Sequence, residues 1–424
     1  MKDQVVQSRR LLQFIPGAAL VLTLGSYQSV RPYNSDTLFI GLPAESRPIQ
    51  HRAIPLEFYG NRIYLPVKVN GSGPFRFILD TGASVSVINQ SRSQELGVKV
   101  KDTGQLMSAG AGENKTRIYQ AKDVSFSLPD GISLTVRNAI ALPMDDVEKR
   151  LGGAIYGALG FELFDRYIVQ VDYSAKTLTL SDPKAFEYSG RGEAVPIVVQ
   201  DRHPTVSARI TLPGTGPLEG NFLIDTGAGG ALVLTTPFIE KNGLEALVRD
   251  GIPVESGGVG GEFKSSMGRA MSFQFGKSVI ESPTVVFSKA ARGATTNSSK
   301  AGDIGGETLR RFLVIFDYSR KQMILEPQPS LAAPFEGDMS GAYLIAEGRD
   351  FKTFRVDRVF EKTPAAVARL REGDVIQAID NRPAAEYTLE DLREMFRRVG
   401  SEYMLAIQRG GQTMAVKIKM RRLV

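Results

Sequence analysis

From Ala53 onward, apolar and polar residues alternate in short runs that glycine-containing turns separate, which predicts β-strands. Three such runs, IPLEFYG, IYLPVKVNG and FRFILD, follow one another, and an Asn-Gly-Ser-Gly-Pro turn at residues 70–74 joins the last two. The same layout returns further along the chain as VPIVVQ, TVSARITL and GNFLID. The pattern therefore predicts two copies of one β-rich unit.

Both copies end on the same short motif. The pentapeptide DTGAS at 80–84 recurs as DTGAG at 225–229, each time directly after an apolar strand. A second motif, Leu159-Gly160, recurs as Ile304-Gly305, and both repeats have the same offset of 145 residues (225 − 80 and 305 − 160). One Asp-Thr-Gly tripeptide is often only a turn, but two that repeat in register with a second motif predict two lobes that each supply one aspartate.

A glycine-rich stretch lies between the motifs of each copy. Residues 108–112 read SAGAG and residues 256–260 read SGGVG, and neither fits a phosphate-binding pattern that opens a helix. We interpret both as hairpin tips, either ordinary loops or mobile flaps over a cleft. The flap candidates are Gly110, Gly112, Gly258 and Gly260.

These motifs resemble the aspartic proteases, and more closely the retropepsin-like single-lobe family than the pepsin family. The resemblance covers roughly residues 53–327 and implies a mainly β fold with two tandem retropepsin-like acid-protease β-barrel lobes in one chain. It implies a catalytic pair, Asp80 and Asp225. It also implies supporting residues around that pair, namely Thr81, Gly82, Ala83, Thr226, Gly227, Ala228, Leu159, Gly160, Ile304 and Gly305.

In that family the two threonines hydrogen-bond across a pseudo-two-fold axis, and the glycines let backbone approach the carboxylates closely. Two adjacent carboxyl groups cannot both ionise cheaply, so they share one proton over a range of pH. One aspartate then acts as base toward a bound water while the other, as acid, hydrogen-bonds the scissile carbonyl oxygen. This chemistry needs no cofactor and no metal.

Two residues of the second copy depart from the family pattern. Gly229 stands where a small polar residue is usual, and Asp303 opens the glycine motif where the family has an apolar residue. Both departures lie in the second lobe and raise the question of how rigid that lobe is.

Composition narrows the chemistry. The chain has 424 residues, a formal net charge of +6 and a pI near 9.3, but its Lys and Arg residues are dispersed, so we predict no nucleic-acid binding. It has no cysteine and only two histidines, which excludes thiol proteases, zinc fingers and most histidine-rich metal sites. Those histidines, His51 and His203, are interpreted as surface or turn residues.

The N-terminus resembles an export signal. Lys2, Arg9 and Arg10 precede an apolar stretch that ends near Gly25, which predicts a signal peptide, with an uncleaved membrane anchor or a plain tail as alternatives. Residues 26–52 carry Pro, Ser and Asn without periodicity and are interpreted as a linker. We therefore expect an exported protein, periplasmic or secreted.

After Pro327 the pattern changes. TPAA at 363–366, GDVI at 373–376 and an amphipathic stretch from Leu389 to Phe396 resemble a PDZ domain. PDZ domains bind peptide C-termini by strand addition, with backbone amides of a glycine-containing loop on the carboxylate. The best match to that loop is Gly341-Ala342-Tyr343-Leu344, which has one glycine where the family often has two. Peptide binding and a docking or spacer role are both open.

The predicted organisation is lobe 1 at 53–186, lobe 2 at 187–327 and a PDZ domain at 338–424, with protein or peptide substrates as partners. A PDZ domain also suggests trypsin-like proteases, but the only histidine upstream of the NGSGP turn lies just before the first strand, so a serine triad is rejected. Two alternatives to an endopeptidase with an intramolecular dyad are open: an inactive binding or scaffold protein, and lobes that pair between chains.

Overall fold

The computed structural model describes residues 53–108 and 110–424. The described chain is mainly β, as predicted, with two similar lobes followed by a smaller domain. The predicted export segment, the linker at 26–52 and His51 lie outside the described residues. Within the described part of the chain, every helix is too short or too polar to cross a membrane.

Lobe 1 is built from eleven strands and two short helices. They are β1 (Ala53–Pro55), β2 (Glu57–Tyr59), β3 (Arg62–Val69), β4 (Ser72–Leu79), β5 (Val87–Asn89), β6 (Val100–Ser108), β7 (Lys115–Ser127), β8 (Ser133–Leu142), α1 (Asp145–Leu151), β9 (Gly157–Leu159), α2 (Phe161–Arg166), β10 (Ile168–Asp172) and β11 (Thr177–Ser181).

Lobe 2 repeats the strand order of lobe 1, except that two shorter antiparallel pairs replace the long β7–β8 hairpin, and two of its helices lie at other places in the order. Its elements are β12 (Glu193–Pro196), β13 (Val198–Gln200), β14 (His203–Thr211), β15 (Pro217–Ile224), β16 (Leu232–Leu234), α3 (Thr236–Lys241), α4 (Glu245–Asp250), β17 (Ile252–Gly258), β18 (Gly261–Arg269), β19 (Ser272–Phe275), β20 (Ser278–Glu281), β21 (Thr284–Ser288), β22 (Gly302–Ile304), α5 (Gly306–Leu309), β23 (Phe312–Asp317) and β24 (Gln322–Pro327).

The same strand crossing lies at the centre of both lobes. In lobe 1, β9 runs parallel to β4 and antiparallel to β5, so the glycine motif lies beside the strand that ends at Asp80. In lobe 2, β22 pairs with β15 and β16 in the same way beside Asp225. The repeated sequence motifs thus correspond to one repeated piece of topology.

A six-stranded sheet joins the two lobes, with the order β1-β11-β10-β23-β24-β12. Its central pair, β10 and β23, is antiparallel and comes from different lobes, with Val171 opposite Val314. Beneath it Phe164 packs against Phe316 at a ring distance of 5.3 Å, within one apolar cluster that draws on both lobes. Because these contacts lie within one chain, the two lobes pair intramolecularly.

The C-terminal domain has its own apolar core and a separate antiparallel sheet. Its elements are β25 (Ala342–Glu347), β26 (Thr353–Val359), α6 (Pro364–Val367), β27 (Val375–Ile379), β28 (Arg382–Pro383), α7 (Leu389–Phe396), β29 (Glu402–Arg409) and β30 (Gln412–Lys419). The sheet order β25-β26-β27-β29-β30 leaves β25 at an edge.

The link to this domain is held against lobe 2 by Arg311. This side chain is fully buried, and it donates hydrogen bonds to the carbonyls of Ser330 (3.0 Å), Leu331 (3.1 Å) and Ala333. Its guanidinium also lies 3.4 Å from the ring centroid of Phe335. Burial lowers the pKa of Arg311 to about 10, yet these carbonyls still favour the charged form.

We therefore expect Arg311→Met to destabilise the protein by about 2–4 kcal/mol, since it leaves several buried carbonyls without their charged donor. Denaturant unfolding measures this directly. Arg249→Met, which changes an exposed arginine of the same lobe, is the matched control. Equal stability of the two variants would contradict a structural role for the Arg311 contacts.

Candidate active site

The two Asp-Thr-Gly loops meet where the lobes join. The backbone N–H of Thr81 donates to Thr226 Oγ1 at 3.0 Å, and the N–H of Thr226 donates to Thr81 Oγ1 at the same distance. Each hydroxyl then donates across the interface, Thr81 to the carbonyl of Ile224 and Thr226 to that of Leu79, both at 2.7 Å. This reciprocal network fixes the relative position of the two loops.

Asp80 and Asp225 directly precede these two threonines. Gly82 N–H donates to Asp80 Oδ1 at 2.8 Å, and Gly227 N–H donates to Asp225 Oδ1 at 2.9 Å. A Cβ atom at residue 227 would lie 2.5 Å from Asp80 Cγ, so only glycine lets the second loop approach the first carboxylate this closely.

The strand crossing supports both loops from behind. The N–H of Asp80 donates to the carbonyl of Leu159 at 2.9 Å, and the N–H of Asp225 donates to that of Ile304 at 3.0 Å. The glycines of the same motifs, Gly160 and Gly305, pass close to the carbonyls of Ala83 and Ala228. The supporting residues predicted from the sequence therefore surround the two aspartates.

Lobe 1 also reaches into the second loop with residues that the sequence did not reveal. Arg62, the first residue of β3, donates from Nε to the carbonyl of Gly227 at 2.7 Å. Asn61 Nδ2 donates to the carbonyl of Gly229 at 3.0 Å. A Cβ at residue 229 would collide with the Arg62 guanidinium, which explains why glycine stands where the family has a small polar residue.

His203 holds the corresponding place in lobe 2. It is the first residue of β14, is 7% exposed and lies against the backbone of Gly82 in the first loop. The interpretation of this histidine as a surface or turn residue is therefore wrong. Burial lowers its pKa to about 3, assisted by the nearby Lys300 ammonium, so the ring is neutral at ordinary pH.

Burial and negative charge both act on Asp225. Burial raises the pKa of Asp225 well above its usual range, and repulsion by Asp80 and Asp303 adds to the effect. Hydrogen bonds from the backbone N–H groups of Ala228 and Gly227 oppose it. Catalysis by two carboxyl groups that share one proton requires that one of them stays protonated at a pH where the other is ionised.

Asp303 makes the site asymmetric. It is fully buried in β22, where its register partner is Leu223, two residues before Asp225. The corresponding residue in β9 is Ala158, which pairs with Ile78 two residues before Asp80. Lys300 follows the same pattern: burial lowers its pKa, the charges of Asp303 and Asp225 oppose that decrease, and the residue 145 positions earlier is Ile155. The second lobe thus has one acidic and one basic side chain at positions where the first lobe has two apolar side chains.

The two glycine-rich stretches are hairpin tips that contact each other. The β6–β7 tip carries Gly110 and Gly112, and the β17–β18 tip carries Gly258 and Gly260. Gly112 N–H donates to the carbonyl of Val259 at 3.0 Å, and Asn114 N–H donates to that of Gly260 at 2.9 Å. In this arrangement Asp80 is 2% exposed and Asp225 is 0% exposed.

Comparison with known proteins agrees with this geometry. Residues 65–163 and 206–307 both match an aspartyl protease family, and residues 343–408 match the PDZ domain. The two lobes belong to the aspartyl protease family. The C-terminal domain is a PDZ domain. The resemblance stated from the sequence is therefore confirmed for both parts of the chain.

Among solved structures, the chain is similar to an aspartic proteinase from Irpex lacteus, with 12% sequence identity and a TM-score of 0.42. The match covers 67% of this chain and 99% of that one. A comparison with curated proteins found no match. Within the described residues, no group of three or more His, Asp or Glu side chains could hold a metal ion.

The predicted carboxylate loop of the PDZ domain faces the protease lobes. Residues 341–344 line a cavity of about 350 Å³ together with Arg62, Gly229 and Leu423. The N–H of Ala342 already donates to Ser340 Oγ at 3.0 Å, and α1 of lobe 1 packs against the edge strand β25. In this conformation the edge that would receive a peptide is covered by the protein itself.

The raised pKa of Asp225 has a consequence for stability. The unfolded chain releases this proton near pH 4, whereas the folded protein keeps it to higher pH, so the folded state binds more protons between the two values. Stability from this group is therefore complete below about pH 4 and falls as the pH rises toward the folded pKa.

We expect Asp225→Asn to lack this decrease, because asparagine keeps an oxygen acceptor for Gly227 and Ala228 but carries no charge. Relative to the unsubstituted protein, the variant should gain stability between about pH 4 and pH 7, by about 1.4 kcal/mol per unit of pKa difference. Denaturant unfolding at both pH values measures it. Asp165→Asn, at an exposed position of α2, is the control; a parallel pH dependence of both variants would contradict the raised pKa.

Proposed function

We propose that the protein is an aspartic-type endopeptidase whose dyad is Asp80 and Asp225. The observation that carries the proposal is the pair of Asp-Thr-Gly loops, joined by reciprocal threonine hydrogen bonds, with Gly227 of the second loop close to the carboxyl group of Asp80. The raised pKa of Asp225 supports a pair that shares one proton.

The reaction follows from that protonation state. The ionised carboxylate takes a proton from a water between the two groups, and the resulting hydroxide attacks the scissile carbonyl carbon. The protonated carboxyl group donates a hydrogen bond to the carbonyl oxygen as negative charge develops there. Proton transfer to the amide nitrogen then releases the amine. The flaps must open before a substrate reaches the dyad, since both carboxyl groups are buried.

The partners of this activity are protein or peptide substrates. For the PDZ domain we propose contact with substrate proteins, including C-terminal tails that would have to displace lobe 1 from β25. We also propose that residues 1–25 direct export to the periplasm or beyond, with or without retention as a membrane anchor.

The decisive experiment incubates the purified full-length protein with a proteome-derived peptide library, with and without an aspartic-protease inhibitor. We expect inhibitor-sensitive cleavage that Asp80→Asn or Asp225→Asn lowers by at least about a thousandfold, since neither half of the dyad can replace the other. A folded protein that leaves the library intact, or that cleaves it equally well as Asp80→Asn, would favour a binding or scaffold role.

The pH profile gives an independent check. Ala83 and Ala228 stand where pepsin-like lobes carry hydroxyl residues that stabilise the charged carboxylates. We expect an optimum in mildly acidic to neutral solution, because burial, Asp303 and the missing donors all favour protonation at Asp225. The double variant Ala83→Ser with Ala228→Ser should move both limbs of the profile to lower pH. An optimum confined to strongly acidic solution would contradict this assignment.

A further inference from the structure

The second flap, formed by the β17–β18 hairpin, inserts its tip into lobe 1. Val259 is 3% exposed and shares an apolar cluster with Ala83, next to the first Asp-Thr-Gly loop, and with Leu151 at the end of α1. With this tip in place, Asp80 on the same loop is only 2% exposed. Opening of this flap is therefore a condition for substrate binding.

Arg150 holds the tip in place. This residue of α1 is nearly buried, and its Nη2 donates to the carbonyl of Gly258 at 2.8 Å while Nη1 lies 3.3 Å from Glu262 Oε1. Helix α1 thus meets the flap in two ways, through the Arg150 guanidinium and through the apolar cluster that Leu151 shares with Val259. Any displacement of α1 would disturb both contacts.

The PDZ domain contacts the same C-terminal end of this helix. Arg393 of α7 donates from Nη2 to the carbonyl of Arg150 at 2.7 Å, and a Cβ at residue 152 would lie 2.6 Å from Leu389 Cβ. The edge strand β25 also packs against α1. The peptide-binding side of the PDZ domain is therefore the side that contacts α1.

A second connection bypasses α1. Arg358 of β26 pairs with Glu255 on β17, and its Nη2 lies 3.8 Å from Glu262 on β18. Both flap strands therefore carry a glutamate that faces a PDZ arginine. The tip of the first flap instead binds lobe 2, where Glu113 accepts from the N–H of Ala291 at 2.6 Å.

We propose that the PDZ domain holds the second flap closed by two routes. One runs from Arg393 through the positioning residue Arg150 on α1, and the other runs from Arg358 directly to the flap strands. The PDZ domain thereby sets access to the dyad for every substrate, including short peptides that do not touch it. The kinetic part of this proposal rests on the proposed endopeptidase function. The structural part, that PDZ contacts hold the flap, does not depend on activity.

The link predicts a specific kinetic effect. When only the open form binds substrate, the apparent affinity equals the intrinsic affinity times the open fraction. Arg393→Met removes one hydrogen bond from a charged donor at the α1 end and so increases the open fraction. We expect KM for a short peptide to fall by roughly threefold to tenfold, with kcat and its pH profile little changed, because the dyad is untouched.

The test uses the full-length protein and hydrogen–deuterium exchange at residues 255–262, together with KM and kcat for one short peptide. Arg393→Met and Arg358→Met should each speed exchange of the flap amides several-fold, whereas Arg393→Lys, which keeps a cationic donor, should restore most of the protection. Arg382→Met is the matched control, since this exposed PDZ arginine pairs with Glu386 within its own domain.

Flap exchange that Arg393→Met and Arg358→Met both leave unchanged would overturn the proposal, as would an equal increase in Arg382→Met. Faster exchange without a fall in KM would also overturn it, because the flap would then not limit access. If the unsubstituted protein cleaves no peptide, the endopeptidase function fails, and the exchange data alone still decide whether the PDZ domain holds the flap.

Discussion

The reciprocal hydrogen bonds between Thr81 and Thr226 impose the constraint to which the rest of the protease lobes conform. They place two acidic loops in contact inside the protein, where an ionised pair would be very costly. Three features of the surrounding structure accommodate the two carboxyl groups. Glycine 227 leaves room for the carboxylate of Asp80, backbone amides donate to both carboxyl groups, and the strands that end in Leu159 and Ile304 hold each loop from behind.

Each lobe contains these features once, but the two lobes differ in the charged residues around the Asp-Thr-Gly loops. At the head of equivalent strands, Arg62 and His203 each reach the other lobe's Asp-Thr-Gly loop, one charged and one neutral. Asp303 and Lys300 are found only in the second copy, where lobe 1 has Ala158 and Ile155. Because Asp303 raises the pKa of Asp225, the asymmetry gives the two aspartates different surroundings within a nearly symmetric fold. Different surroundings favour one defined proton position over an even exchange between the two groups.

The repeat made much of this predictable. Strand alternation identified the β lobes, and the shared offset identified the loops and the motif behind them, because short-range patterns and exact repeats are visible in one sequence. Arg62 escaped notice and His203 was misinterpreted because the two differ in residue type, so comparison of the copies offered no signal. Their roles depend on which strand head faces which loop, and only the three-dimensional structure shows that. The position of the PDZ domain over α1 was unpredictable for the same reason: its contacts are side chains at a docking surface without a sequence period.

The burial of Asp80 and Asp225 is connected with the placement of the PDZ domain, because one hairpin takes part in both. A dyad that is 2% and 0% exposed cannot meet a protein chain without movement, and the part that must move is the hairpin whose tip carries Val259. That hairpin is tied to lobe 1 by Arg150 and to the PDZ domain by Arg358. If only the contacts within its own lobe held the flap, those contacts alone would determine how often it opens. Because a second domain also holds it, a ligand bound to that domain can change how often the flap opens. In PDZ domains a bound peptide pairs with this edge strand, which here rests on α1. Under the proposed function, a peptide that pairs with β25 would therefore compete with flap closure for one surface.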